Sequence, residues 1–220
     1  MALGNKHVFW EALLVTVIVF GIGIFLGVLL ENWRTNKIDV LYQQSEIKLL
    51  DMRAQSEIYS LEDFDCKTAI EENLNFANRI YDEAQLLEKY EDAGRLTDAL
   101  KAEHKKYDVL RSLLWVNSIK LKKKCKASYH NVVYIYDYND PSIATKAEQS
   151  VFSRVLTELK QKQGDNVMLI PIAGDNDLSS VSVLMNLYNV TEKELPIILI
   201  DEKIKVPNLE KVEQIEKLLS

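Results

Sequence analysis

The sequence predicts an α/β domain over residues 129–220. An α-helical hairpin or coiled-coil region over 36–128 precedes it, and a transmembrane anchor occupies 1–35. Three observations predict this. Residues 12–30 form an uninterrupted apolar run. Between residues 36 and 131 there is one glycine, Gly94, and no proline, with apolar residues at three- and four-residue spacing. From about Tyr129 onward, β-branched runs alternate with amphipathic stretches, the pattern of an α/β unit.

The anchor comes first. Ala12 to Leu30 contains no charged residue and only Thr16 as a polar one. A helix of that length spans about 28 Å, close to the hydrocarbon thickness of a bilayer. Trp10 and Trp33 flank it at the expected headgroup levels. A cleaved signal peptide is the competing reading, but the run is long for one and no Ala-x-Ala site follows. The expected partner of residues 12–30 is therefore the lipid bilayer. Gly23 and Gly27 form a small-xxx-small pair that lets two such helices approach closely. A homodimer through this helix is one expectation.

In the next region, Ile38, Leu41, Leu49, Met52 and Tyr59 mark one apolar stripe. Ile70, Leu74, Ala77, Ile80, Ala84 and Leu87 mark a second, and Leu96, Leu100, Tyr107, Leu110, Leu114 and Leu121 a third. Leu61 to Asp65 reads as the first break and Ala93-Gly94 as the second. The first helix is expected to continue from the membrane span as a stalk. A hairpin that reverses at 93–94 sets Cys66 and Cys125 opposite each other at its open end. A disulfide there would mean a compartment outside the reducing cytoplasm. Two separate buried thiols in a cytosolic protein are the alternative. Lys120, Lys122, Lys123, Lys124 and Lys126 read either as a solvated helix end or as a contact for lipid phosphates.

The charges flanking the span differ by about one and decide little about orientation. The cysteine pairing gives the expectation adopted: N-terminus cytoplasmic, soluble part extracytoplasmic.

In the C-terminal part, Val132 to Tyr136 reads as a buried strand. Asn139-Asp140-Pro141-Ser142 is a tight junction, and Ile143 to Gln163 is a long helix. Asn166 to Ile172 is a second strand, and Asp177 is expected to cap a helix over Leu178 to Tyr188. Leu195 to Ile200 and Ile204 to Val206 form a hairpin, and Leu209 to Leu219 closes the chain as an amphipathic helix.

This order of elements resembles the thioredoxin-like family over about residues 129–220. Asn139-Asp140-Pro141-Ser142 stands where that family carries Cys-x-Pro-Cys. Leu195-Pro196 before an apolar strand is similar to its cis-proline segment. The resemblance implies a groove beside Pro196, lined by Tyr138, Asn139, Asp140, Pro141, Ser142, Leu195 and Pro196, that pairs with an extended peptide. Redox chemistry needs thiols that this corner lacks. A groove that only packs the fold is the alternative.

Other chemistry is not indicated. The chain carries 27 Lys and Arg against 33 Asp and Glu, a net charge of −6, which disfavours nucleic acid as a partner. His7, His104 and His130 lack metal-ligand spacing, and no cofactor motif appears. Asp175-Asn176-Asp177 reads as a turn rather than a calcium loop. The functional expectation is a non-catalytic, redox-inactive membrane protein that binds a peptide or a membrane-complex partner. A coiled-coil scaffold and an accessory to thiol exchange through Cys66 and Cys125 are the alternatives.

Overall fold

A computed structural model describes residues 5–92, 98–139 and 141–219, with side chains for 8–31, 46–85, 98, 100–139 and 141–219. The chain divides into two units, Met1–Gln44 and Ser45–Ser220. It is mostly helical, with one apolar N-terminal helix and a small mixed sheet.

Helix α1 runs unbroken over Asn5–Ile58. Its segment Val8–Glu31, 24 residues, is long and apolar enough to cross a membrane. At 1.5 Å per residue it spans about 36 Å. All of its side chains are exposed, as a lipid-facing helix requires. Gly23 and Gly27 have open space where a Cβ would stand.

In the second unit, the helices α2 (Cys66–Asp92) and α3 (Asp98–Cys125) lead into β1 (His130–Tyr136). Next come α4 (Ile143–Gln163), β2 (Val167–Ala173), α5 (Ser179–Leu187), β3 (Ile197–Ile200), β4 (Ile204–Val206) and α6 (Val212–Leu219). The sequence-expected break at Ala93-Gly94 lies outside the described residues. The sheet order is β2-β1-β3-β4. β1 and β2 are parallel, with Tyr134 beside Pro171, and α4 forms their crossover. β3 runs antiparallel to β1 and to β4.

Side chains alternate across the sheet, so each face has its own core. Val133, Ile135, Met168, Ile170, Ile197 and Leu199 pack with α2, α3 and α5. Val132, Tyr134, Leu169, Ile198 and Ile200 pack with α4 and α6. The stripes of α2 and α3 therefore meet the sheet: Phe76, Ile80, Leu110 and Leu114 share one cluster with Val133 and Ile170. Burial of one such side chain stabilises the fold by roughly 1.5–3 kcal/mol.

The cysteines are bridged. Cys66 opens α2, Cys125 closes α3, and their Cα atoms are 5.5 Å apart. Tyr59, Ala69 and Leu121 pack around this end, with Phe64 alongside.

Two sequence expectations are corrected. Asp177 does not cap α5; it sits at φ 52°, and Leu178 precedes the helix without a side-chain cap. The lysine run is neither a bare helix end nor free for lipid phosphates at three of its positions. Lys120 donates to Ser56 O at 3.0 Å and Lys124 to Leu61 O at 2.9 Å, which ties α3 to the C-terminal end of α1. Lys122 pairs with Asp201.

Asp201 and Glu202 turn the β3–β4 hairpin at φ 47° and 58°. Their carboxylates point inward. Asp201 accepts from Asn131 N at 2.9 Å and shares a 2.6 Å hydrogen bond with His130 Nδ1. Glu202 accepts from Trp115 Nε1 at 2.8 Å and Asn131 Nδ2 at 2.9 Å. Burial pushes the Asp201 carboxyl up, but hydrogen bonds from Lys122, His130 and Asn131 outweigh it and hold it below the ordinary range. A folded-state pKa below the unfolded value of about 3.9 contributes stability above that pH, lost as pH falls through the folded value. Acid titration of the full chain is expected to show this loss below about pH 4. Asp201→Asn should flatten the profile in that window; an unchanged profile would contradict the assignment.

Candidate functional site

The site is built where β1 ends. Seven consecutive residues, His130–Tyr136, form this strand, and its five central residues are buried. The chain then leaves the sheet through Asp137, Tyr138 and Asn139 and enters α4 at Pro141-Ser142. Ser142 is the N-cap of α4, and its hydroxyl accepts from Thr145 N at 3.1 Å. Asp140 lies outside the described residues.

The loop is held by a residue from the far end of β2. Asp175 accepts from Tyr138 N at 2.8 Å and from Asn139 N at 2.6 Å. Asn139 Nδ2 donates to Asp175 O at 2.7 Å. The two strand ends are thus locked together at the carboxyl edge of a parallel pair, the place where α/β sheets usually bind ligands.

Under the corner lies a buried charged cluster. Asp108 of α3 is fully buried. It accepts from Arg111 Nη1 at 3.1 Å, Asn176 Nδ2 at 2.6 Å and Ala173 N at 3.3 Å. His104 Nε2 stands 3.6 Å from the same carboxylate and 2.9 Å from the Tyr136 hydroxyl. The His104 ring stacks on Tyr138 at 3.8 Å between centroids. Asp175 and Asn176, read from sequence as a plain turn, therefore hold the corner from two sides. The one available signal was Asp108 and Arg111 one helical turn apart on an apolar stripe.

On the β3 side the corner is closed. Ile197 pairs with Ile135, so Pro196 lies level with Tyr136. The Leu195–Pro196 bond is cis, and Pro196 is buried. Leu195 is half-buried against the core, and its N–H donates to Glu192 O at 3.3 Å. A Cβ on Gly174 would come within 2.8 Å of Leu195 Cδ1 and 3.0 Å of Ile135 Cγ2, so a larger residue there would require these side chains to shift. Of the seven expected groove residues, Tyr138 and Pro141 line a cleft, Asn139 and Ser142 are exposed, and Asp140 lies outside the described residues. Leu195 and Pro196 turn toward the interior.

On the β2 side the corner is open. A cleft of about 660 Å³ runs from Tyr138 and Pro141 along α4. Tyr134, Tyr136, Leu169 and Pro171 form its floor. Lys146, Gln149, Ser153 and Thr157 of α4 form one wall, and Tyr81, Ala84 and Gln85 of α2 the other. His104 and Arg111 close the deep end. Sequence reasoning missed this cleft, because its walls, residues 81–85 of α2 and 146–157 of α4, lie far apart in the chain and each is locally an ordinary helix face.

The chemistry on offer is hydrogen bonding, ring stacking and charge. Sulfur is distant: Cys125 precedes β1 at the opposite end of a strand about 20 Å long. Among the described residues, no three of His, Cys, Asp and Glu converge on a point where they could hold a metal ion.

Comparison with protein-family models, curated proteins and solved structures finds no match for this chain.

Proposed function

We propose that this chain is a membrane-anchored, non-catalytic binding module whose α/β part is thioredoxin-like and redox-inactive. The observation that carries the reading is a braced corner without sulfur. Asp175 fixes Tyr138 and Asn139, while both cysteines are tied to each other at the other end of β1. A thiolate nucleophile and a resolving thiol are both missing where exchange would occur. What remains can hold an extended peptide or a segment of a membrane-complex partner.

Several features support the thioredoxin-like part. Strand order β2-β1-β3-β4, an antiparallel β3 opened by a cis proline and a long helix after the corner all accord with it. The bilayer is the expected partner of the apolar segment, with a homodimer through Gly23 and Gly27 as one arrangement. A disulfide favours an extracytoplasmic soluble part. The stripes of α2 and α3 spend their apolar surface on the sheet, which favours a binding module over a coiled-coil scaffold.

The test uses full-length protein in nanodiscs, panned against a displayed library of random heptapeptides. Retention above empty nanodiscs is expected, and Cys66→Ala/Cys125→Ala should retain the same sequences at a temperature where it stays folded. No retained peptide would contradict the reading. Retention lost only on reduction would favour the thiol-exchange accessory.

A further inference from the structure

We propose that the outer edge of β2 is a strand-addition site for an extended acidic peptide, seated in the cleft between α2 and α4. The inference rests on the binding-module reading and assigns its site to the β2 side of the corner.

The edge is defined by which way the backbone groups turn. β2 is an outer strand of the sheet. Gly174 N donates to Tyr136 O at 2.8 Å, so residue 174 faces β1. Successive residues of a strand turn their N–H and C=O groups to opposite sides. Val167, Leu169, Pro171 and Ala173 therefore face away from β1. Two bonds agree with this. Ala173 N donates to Asp108 Oδ1 at 3.3 Å, and Val167 O accepts from Lys160 Nζ at 3.0 Å.

Those bonds occupy the two ends of the edge and leave its middle. Leu169 offers an N–H and a C=O, and Pro171 offers a C=O. Among the described residues no group bonds to these three. Leu169 and Pro171 both line the cleft. One donor and two acceptors can pair with an extended backbone in a single register. Pro171 supplies no second donor, which keeps the edge from zipping onto any passing strand.

The cleft fits such a guest in length and charge. From Lys146 to Thr157 the α4 wall rises about 16 Å, the length of roughly five extended residues. An added strand turns alternate side chains toward the cleft lining at Pro171 and the half-buried Tyr136, whose ring stacks on the buried Tyr134 at 5.3 Å. Lys146 is exposed and has no ion pair among the described residues. Arg111 also lines the cleft but is already paired with Asp108, which leaves Lys146 as the exposed cation of the lining beside the Asp137 carboxylate. Aspartate or glutamate beside Lys146 complements this wall.

The experiment takes the heptapeptides retained by full-length protein in nanodiscs. They are expected to be rich in Asp and Glu and poor in central proline. Ala84→Trp, which fills the cleft from α2, and Lys146→Glu, a surface change, should each lower retention at least tenfold. Amide exchange at Leu169 should slow at least tenfold with peptide bound, while Ala173, already bonded to Asp108, changes little. Retention indifferent to both substitutions, or an unaltered Leu169 amide, overturns the site while the binding-module reading stands. If no peptide is retained, both fall together.

Discussion

Replacing Asp108 with alanine is expected to destabilise the Ser45–Ser220 unit by about 3–5 kcal/mol. The carboxylate is fully buried and takes three hydrogen bonds, from Arg111, Asn176 and the Ala173 backbone. Its removal leaves the Arg111 guanidinium, itself 5% exposed, without its counter-charge. It also leaves two buried donors unsatisfied, each costing roughly 1–3 kcal/mol. Asp108→Ala/Arg111→Met removes both charges and should recover a large part of the loss, because a buried pair is worth much less than breaking it costs. Urea denaturation of the full chain in micelles measures this. Trp115 fluorescence in a Trp10→Phe, Trp33→Phe background reports on the right unit. A single-substitution loss under about 1 kcal/mol would contradict the buried network.

Reducing the Cys66–Cys125 bridge is expected to cost about 4 kcal/mol. The bond closes a loop of 59 residues, and opening it restores chain entropy to the unfolded state. For a unit of this size that corresponds to a fall in Tm of roughly 8–16 °C. Cys66→Ala/Cys125→Ala should show the same fall, insensitive to reductant. The bridge fastens the ends of α2 and α3 beside the C-terminal end of α1, so amide protection should drop first around Tyr59, Ala69 and Leu121. A Tm unmoved by reductant would remove the bridge from the stability account.

Much of the frame was legible from local pattern. The apolar run announced the membrane-length helix, and its exposure over Val8–Glu31 suits a lipid-facing helix rather than a buried core helix. Pro141-Ser142 marked the start of α4 through its fixed φ and its cap. Cysteine positions relative to the hairpin turn gave the disulfide, since antiparallel helices place such residues opposite each other. Leu195-Pro196 before an apolar run indicated where β3 opens.

The polar interior was not legible. Helix α3 is buried against α2 on one side and against the sheet on another, so Asp108, Arg111, Asn117 and Ser118 are all inside it. A one-sided stripe cannot show that. Asp175, Asp201 and Glu202 read as turn residues because turns favour them, yet their carboxylates reach inward to backbone and side-chain donors tens of residues away. Lys120 and Lys124 looked like a surface cluster and instead hold the last turn of α1 and the turn that follows it. In each case the partner is set by tertiary packing, which single-segment periodicity does not encode.

The central claim is that this chain binds a partner and does not catalyse thiol–disulfide exchange. Its most direct measurement is turnover of a disulfide substrate by the full-length protein in nanodiscs: insulin reduction in the presence of dithiothreitol. The account predicts a rate equal to that of empty nanodiscs with dithiothreitol. A faster rate that disappears in Cys66→Ala/Cys125→Ala would contradict it.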